Sequence, residues 1–189
     1  MPTAKKSTRK SASTRTSTQS SKTPSRKRGG SAGETDAIEL LTQDHRNVDE
    51  LFEDYESMKE DGDDAAKEAL VAQICDELTV HASIEEEIFY PAAREAVDDD
   101  DADMLDEAEV EHEHIKLLVE ELRTMTAGEN LYDAKVKVLS EYVKHHVEEE
   151  EGEIFPTLRD GDLDLDALGL QLSERKQQLM GESQESATS

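Results

Sequence analysis

The chain has 189 residues and a formal net charge of −26, with 47 acidic and 21 basic side chains. A protein this acidic repels nucleic acid and anionic lipid and attracts cations. It has one cysteine, Cys75, and no run of about 18 apolar residues, which excludes an internal disulfide, a thiolate cluster and a membrane span and predicts a cytoplasmic protein.

The first 34 residues form a basic tail rich in serine and threonine. Residues 1–33 carry nine lysines or arginines and no acidic residue, and they offer almost no apolar side chain. Such a segment cannot offset the entropy lost on ordering, so we predict that residues 1–34 are disordered. The tail is either a solubilising segment or a contact for nucleic acid or another anionic partner. Without its nine charges, residues 34–189 carry −35.

Residues 35–160 are predicted to form an all-α, antiparallel four-helix bundle. Turn signals at Glu60-Asp61-Gly62-Asp63, residues 98–101 and Ala127-Gly128-Glu129-Asn130 separate four long stretches. Apolar residues recur at helical spacing in each stretch, and a histidine interrupts every stripe. In chain order the stripes are Ile38, Leu41, His45, Val48, Phe52 and Tyr55; Ile74, Leu78, His81, Glu85 and Ile88; Leu105, Ala108, His112, Ile115, Val119 and Leu122; and Leu139, Tyr142, His146 and Glu150.

Residues 161–189 give a weaker signal. A helix-like stretch runs from Leu163 to about Met180, after the turn at Asp160-Gly161-Asp162. Two interpretations stay open, a short fifth helix or a loosely docked tail, with a disordered end in either case.

Two HxxxE pairs indicate a metal site. They are His81 with Glu85 and His146 with Glu150, and a proline follows each histidine after ten residues. Residues four apart lie on the same helical face, so each pair presents one imidazole and one carboxylate together. His45 and His112 lie on the two other helices, and the rise of about 1.5 Å per residue puts the histidines of each hairpin at similar depth.

Four imidazoles and two carboxylates that are able to bridge fit a pair of metal ions. Ligation by nitrogen and oxygen without thiolate favours iron or manganese over structural zinc. The alternative is that each histidine is an ordinary core residue. Burying this set without a cation would cost several kcal/mol, which argues for the metal.

The chain resembles the hemerythrin-like, or HHE cation-binding, family over about residues 36–160. The resemblance rests on Asp44-His45 with Leu51-Phe52, the segment from His81 through Glu85-Glu86-Glu87 to Pro91, Glu111-His112, and the segment from His145-His146 through Glu150 to Phe155-Pro156. It implies an up-down-up-down four-helix bundle with a non-haem di-iron centre. Carried over by position, the family's metal ligands are His45, His81, Glu85, His112, His146 and Glu150.

The chain departs from oxygen-carrying hemerythrins on the third helix. Those proteins have two histidines one turn apart there, whereas Lys116 follows His112 by four residues and Ala108 precedes it by four. Glu109 is a weaker candidate for the missing ligand. His114 and His145 are predicted as surface or supporting groups.

The predicted function is a non-haem di-iron protein that binds or senses dioxygen or a related small oxidant, peroxide or nitric oxide. Oxidase or peroxidase turnover, if any, is expected to be slow. The alternatives are a ferritin-like or rubrerythrin-like oxidase or peroxidase, and an iron-handling protein. Two iron ions are the expected cofactor, with manganese or zinc less favoured.

Overall fold

The computed structural model describes residues 35–59, 63–98 and 102–187, so the prediction of a disordered tail over residues 1–34 lies outside the described residues. Every secondary-structure element in this part of the chain is helical, which confirms the predicted all-α fold. The α-helices are α1 Ala37–Met58, α2 Asp64–Ile84, α3 Tyr90–Ala96, α4 Ala102–Arg123, α5 Tyr132–Glu149, α6 Phe155–Asp160 and α7 Leu165–Ala187.

Two short π-helical segments join some of these helices end to end. The first π segment, Glu85–Phe89, joins α2 to α3, and the second π segment, Glu150–Ile154, joins α5 to α6. The described chain is therefore built from five long helical rods. Four of them correspond to the helices expected from the apolar stripes.

Aspartates placed just before two of the helices fix where these helices start. The carboxylate of Asp36 accepts a hydrogen bond from the Glu39 N–H at 2.8 Å. Asp63 does the same for the Ala66 N–H at 2.9 Å. Each bond satisfies a backbone donor that has no partner within the helix, and this is why aspartate favours the position.

The four long rods pack as two helical hairpins. The first hairpin pairs α1 with α2 and the second pairs α4 with α5, while α2 contacts α4 and α1 contacts α5 across the bundle. Short turns between paired helices make neighbours antiparallel. None of the helices in the described ranges is long and apolar enough to cross a membrane.

The apolar core is divided into two clusters. The first lies between the hairpin turns and the middle of the bundle and includes Phe52, Ile74, Leu122 and Leu139. The second lies towards the other end and includes Leu41, Ile84, Phe89, Leu105 and Phe155. Each bundle histidine falls between residues of the two clusters along its own helix, so a polar layer separates them.

One predicted core position is wrong. Tyr142 is 46% exposed, and its neighbour Val143 is the buried residue. On α5 the buried face therefore passes through residue 143 and not through residue 142, a difference of about 100° around the helix axis.

The C-terminal helix α7 is longer than the short helix of the first interpretation and is not a loose tail. It has 23 residues and packs against α1, α2 and the first π segment. Its buried residues include Leu168 and Leu172. Gly169 lets it approach the start of α1, since a Cβ there would lie 2.4 Å from the Thr35 carbonyl oxygen.

Candidate metal centre

The six side chains predicted as metal ligands meet in one buried layer across the bundle. One histidine comes from each bundle helix, and the two glutamates begin the two π segments. None of the six is more than 6% exposed. They are His45 on α1, His81 on α2, Glu85 in the first π segment, His112 on α4, His146 on α5 and Glu150 in the second π segment.

Each hairpin brings its two imidazoles together through their Nε2 atoms. The distance between Nε2 atoms is 3.2 Å for His45 and His81, and 3.0 Å for His112 and His146. Neighbouring ligands around an ion with bonds of about 2.1 Å lie roughly 3 to 3.4 Å apart. The spacing of each pair therefore suits one cation.

The two glutamates lie between the histidine pairs. Glu85 Oε2 is 3.2 Å from His81 Nε2 and 3.4 Å from His112 Nε2. Glu150 Oε2 is 3.2 Å from His45 Nε2 and 3.6 Å from His146 Nε2. Each carboxylate thus reaches a histidine of its own hairpin and one of the other hairpin, which is the position of a bridging ligand.

Buried polar atoms without partners show what the layer lacks. Both carboxylate oxygens of Glu85 and the Oε2 atom of Glu150 are buried and have no hydrogen-bond partner. An unpaired buried carboxylate is costly because it has lost its hydration without a replacement. A cation at the cluster would supply that replacement, so these residues fit a bound metal.

Without a cation, the pKa values of the two glutamates are shifted in opposite directions. Burial and the charge of Glu150 raise the pKa of Glu85 well above its usual value. Burial opposes ionisation of Glu150 too, but His146 and His45 hold the pKa of Glu150 well below its usual value. Although burial opposes its charge, His45 has its pKa raised to about 9 by Glu150. Metal binding must therefore displace protons, and metal affinity should rise with pH.

The donor atoms form two groups that share Glu85. One group contains His45, His81, Glu85 and Glu150, and the other contains Glu85, His112 and His146, with the donor atoms of each group within 4.8 Å of one another. Imidazole and carboxylate donors without sulfur suit iron, manganese or zinc.

A carboxylate stands behind each of the four histidines, on the Nδ1 side. The distances from Nδ1 are 2.9 Å from His45 to Glu151, 3.7 Å from His81 to Asp44, 2.9 Å from His112 to Glu86 and 2.9 Å from His146 to Glu111. We call these four residues the supporting carboxylates. In the three pairs at 2.9 Å, an Nδ1–H that donates to the carboxylate leaves the Nε2 lone pair free for a metal and fixes the orientation of the ring. His81 and Asp44, at 3.7 Å, are close but too far apart for a hydrogen bond.

Sequence reasoning missed the supporting carboxylates. The sequence pattern assigned no role to Glu86 or Glu151. The signal is adjacency, since each supporting carboxylate directly precedes a ligand histidine or directly follows a ligand glutamate. The sequence could not show which histidine each carboxylate contacts, because Glu151 and Glu86 contact histidines of the opposite hairpin.

Both ligand glutamates open a π segment. The Tyr90 N–H donates to the Glu85 carbonyl and the Phe155 N–H donates to that of Glu150, each five residues back. Such widened turns are uncommon and often occur at functional sites. Here they bring Glu85 and Glu150 into the core and turn the next glutamate of each segment towards the opposite hairpin.

Matched aromatic residues close the layer on one side, and only one of them has a hydroxyl. Tyr90 is fully buried, and its hydroxyl donates a hydrogen bond of 2.9 Å to Glu150 Oε1. The same hydroxyl oxygen lies 3.5 Å from His112 Nε2. At the matching place Phe155 stacks on the His45 ring, with 5.8 Å between the ring centroids. The two halves of the layer are therefore chemically different.

The structure does not bring Glu109 to the cluster. Its carboxylate lies at the surface and accepts a hydrogen bond from Arg94 at 2.9 Å. Lys116, at the place of the second histidine in oxygen carriers, donates to Glu86 instead. His114 and His145 are exposed.

A cavity of about 20 Å³ adjoins the histidines. All four bundle histidines line it, together with apolar side chains that include Val48, Leu78, Ile115 and Val143. This volume holds about one water-sized molecule. The layer therefore has room beside it for a very small ligand and excludes larger ones.

Comparison with known proteins agrees with this geometry. A protein-family model described as "Hemerythrin HHE cation binding domain" matches residues 36–158. The crystal structure of a hemerythrin HHE cation binding domain-containing protein from Mycobacterium kansasii is similar, with a TM-score of 0.65 and 22% sequence identity. The likeness covers 78% of this chain and 89% of that one, and at this identity it shows the fold alone.

A curated relative is also similar over part of its length. This protein, a DNA nickase of Nostoc sp. strain PCC 7120, is 27% identical over 121 residues, which are 64% of this chain and 33% of the relative. The chain thus spans about one third of the length of the curated relative it matches.

Proposed function

Because the chain belongs to the hemerythrin HHE cation-binding family, we propose that its buried layer holds two iron ions and that the protein binds or senses dioxygen, peroxide or nitric oxide. The observation that carries the proposal is the placement of two buried glutamates between two histidine pairs. Three of their four carboxylate oxygens have no hydrogen-bond partner within the described residues. When bound, the irons would supply a redox centre able to exchange electrons with a small oxidant.

The side chains of the layer divide the work. The four histidines would hold the two cations in pairs, and Glu85 and Glu150 would link the pairs. The supporting carboxylates keep the imidazoles oriented through Nδ1. Tyr90 holds one oxygen of Glu150 by a hydrogen bond and so limits the directions in which that carboxylate points.

The size of the cavity supports a diatomic or similarly small oxidant. A space of about 20 Å³ lined by valine, leucine and isoleucine beside the imidazoles admits an apolar molecule such as dioxygen or nitric oxide. The apolar side chains around this space therefore favour a very small ligand over a larger one.

A second candidate function is slow oxidase or peroxidase turnover. The uneven donor groups favour it, because the group at His112 and His146 has three donor residues whereas the other group has four. The Tyr90 hydroxyl, a proton donor, also lies beside this three-residue group. Peroxide consumption by the iron-loaded protein, compared with a Tyr90→Phe variant, separates turnover from binding.

Nucleic acid is not proposed as a partner of the helical bundle. Residues 34–189 carry a net charge of −35, which repels phosphate. The activity named for the nickase relative therefore supports no proposal for the part of the chain they share. Binding through the basic residues of 1–33 stays a prediction, and it would weaken steeply as salt is raised.

The test is metal content together with the optical spectrum of protein purified from iron-supplied cells. We expect two irons per chain, with near-ultraviolet bands that bleach on reduction and return in air. Replacing Glu85 by Ala should abolish stoichiometric iron, because Glu85 belongs to both donor groups. Glu148→Ala is the matched control, since this exposed glutamate on α5 only pairs with Lys144. Full iron occupancy in the Glu85 variant would refute the ligand assignment.

A further inference from the structure

We propose a second, surface site for a divalent transition-metal cation, formed by Glu111, His145 and Glu149 in the seam between α4 and α5. His145 Nε2 lies 3.4 Å from Glu111 Oε1 and 3.2 Å from Glu149 Oε1. All three donor atoms lie within 4.8 Å of one another. The set is again imidazole and carboxylate, which suits ions such as Mn²⁺, Fe²⁺ or Zn²⁺.

The sequence carries this site as a third HxxxE pair. His145 and Glu149 have the same spacing as His146 and Glu150, shifted by one residue. A shift of one residue rotates a side chain by about 100° around the helix. Of the two overlapping HxxxE pairs, His146 and Glu150 therefore face the core, whereas His145 and Glu149 face the seam. The side chain of His145 is 63% exposed and that of Glu149 is 37% exposed.

A further imidazole lies in the same groove. His114 on α4 lines it with Glu111 and His145. The Nδ1 atom of His114 is 2.8 Å from the Val110 carbonyl oxygen, which can only accept, so Nδ1 carries the proton. This tautomer leaves the Nε2 lone pair of His114 available to a metal.

The first hairpin shows what occupies the matching position. The counterpart of Glu111 there is Asp44, and the ammonium group of Lys176 from α7 lies 2.5 Å from its carboxylate. The counterparts of His145 and Glu149 are Val80 and Ile84, both buried. Beside the first hairpin, the ammonium group of Lys176 on α7 therefore neutralises the carboxylate behind the candidate metal centre.

The second hairpin has no such cation. Within the described ranges, neither Glu111 nor Glu149 pairs with a lysine or an arginine, and their charged-group contacts are with His145 and His146. Where the first hairpin has Lys176 beside Asp44, the second hairpin has His145 and Glu149 beside Glu111. A cation from solution completes the charge balance that Lys176 provides on the other side.

The surface site touches the buried layer through one side chain. Glu111 Oε1 faces His145, while its Oε2 atom lies 2.9 Å from the Nδ1 atom of His146. A cation held at the surface is thus one carboxylate away from a ligand of the buried centre. We assign the surface site the role of a loading site for that centre, and this role rests on the proposed function of the buried layer.

Counting bound Mn²⁺ by electron paramagnetic resonance tests the site itself. In the full-length chain carrying Glu85→Ala, which disables the buried layer, we expect one Mn²⁺ per chain. Adding His145→Ala or Glu149→Gln should weaken its binding by at least about tenfold, since these changes remove direct ligands. The control Glu148→Gln removes the same charge from a neighbouring exposed position and should leave binding unchanged.

Two results would overturn the surface site: no Mn²⁺ bound in the Glu85→Ala background, or an equal loss with Glu148→Gln, which would reduce the effect to general attraction by an acidic surface. The loading role has its own readout, the rate at which iron enters the metal-free protein. Glu149→Gln should slow filling without lowering the final iron content. An unchanged rate contradicts loading. Failure of both the unmodified protein and the Glu149→Gln variant to take up iron counts against the buried centre alone.

Discussion

The two helical hairpins of the bundle repeat one set of candidate metal ligands and differ in the groups that lie behind this set. On the first hairpin, α7 covers α1 and α2 and places Lys176 on the supporting carboxylate Asp44. On the second hairpin, the matching carboxylate Glu111 faces an exposed histidine. The repeat in the sequence sets the ligands, whereas the neighbouring helix decides how each half is neutralised.

The buried layer shows the same contrast at closer range. Glu150 has a hydroxyl donor in Tyr90 and a charged partner in His45, whereas Glu85 has no hydrogen-bond partner. His146 and His45 hold the pKa of Glu150 below its usual value, whereas burial raises that of Glu85. Two residues at equivalent places in the repeat therefore differ in how far their surroundings favour the charged carboxylate.

The largest expected effect comes from removing the charge of one glutamate at a time. Glu150→Gln should lower the free energy of unfolding of the metal-free protein by about 3 kcal/mol, because it removes the carboxylate charge that faces His45 Nε2 and leaves Glu151 as the one charged partner of that ring among the described residues. Glu85→Gln should change it by less than about 1 kcal/mol, because a neutral amide replaces a neutral acid of the same shape. Urea unfolding of both variants measures the difference, and equal losses would show that Glu85 is ionised.

The cation supplied by α7 gives the next effect. Burial alone would raise the pKa of Asp44, but His81 and Lys176 hold it below its usual value. Lys176→Met should cost about 3 kcal/mol because Asp44 stays buried without the lysine charge and keeps only the more distant His81 beside it among the described residues. The comparison is Lys116→Met, whose ammonium pairs with Glu86 but whose side chain is 45% exposed. There the loss should be below about 1 kcal/mol. Similar losses for the two variants would remove the contrast between the hairpins.

Docking of α7 can be disturbed without touching a charge. Gly169→Ala should cost about 2 kcal/mol, because the new Cβ would lie 2.4 Å from the Thr35 carbonyl oxygen and push α7 away from α1. Gly181→Ala on the same helix meets nothing within 4 Å and should gain about 0.5 to 1 kcal/mol. Thermal unfolding of the pair measures both signs. A stabilising Gly169→Ala would mean that α7 is not held at this crossing.

The fold and the meeting of the six candidate ligands were predictable because both depend on local spacing. Helical periodicity gave the four bundle helices, and the HxxxE spacing put each imidazole and carboxylate on one face. Equal depth of the histidines followed from the helical rise and the turn positions. The turns were marked by glycine and acidic residues, of which the described ones, Asp63, Asp98 and residues 127–130, lie at or near helix ends.

The supporting contacts were not predictable because they cross between elements far apart in sequence. Glu151 serves His45, which lies 106 residues away. Glu109 failed as a candidate ligand because a residue three places before His112 lies about 60° from it around the helix. That rotation turns Glu109 towards Arg94. The packing of α7 against α1 depends on a close approach of the two helices at Gly169. The spacing of apolar residues in the sequence does not predict such an approach.

The smallest expected effect concerns the hydroxyl that distinguishes the two halves of the layer. Tyr90→Phe makes the residue the same as Phe155 and removes one hydrogen bond to Glu150, while His45 still pairs with that glutamate. The metal-free protein should lose about 1 to 1.5 kcal/mol, the net contribution of a typical buried hydrogen bond. Tyr132→Phe is the matched control, since this tyrosine is also buried but its hydroxyl makes no hydrogen bond within the described residues. Its stability should change by less than about 0.5 kcal/mol. An equal loss in both variants would mean that the Tyr90 hydroxyl contributes only packing, and the asymmetry of the layer would then lie in the glutamates alone.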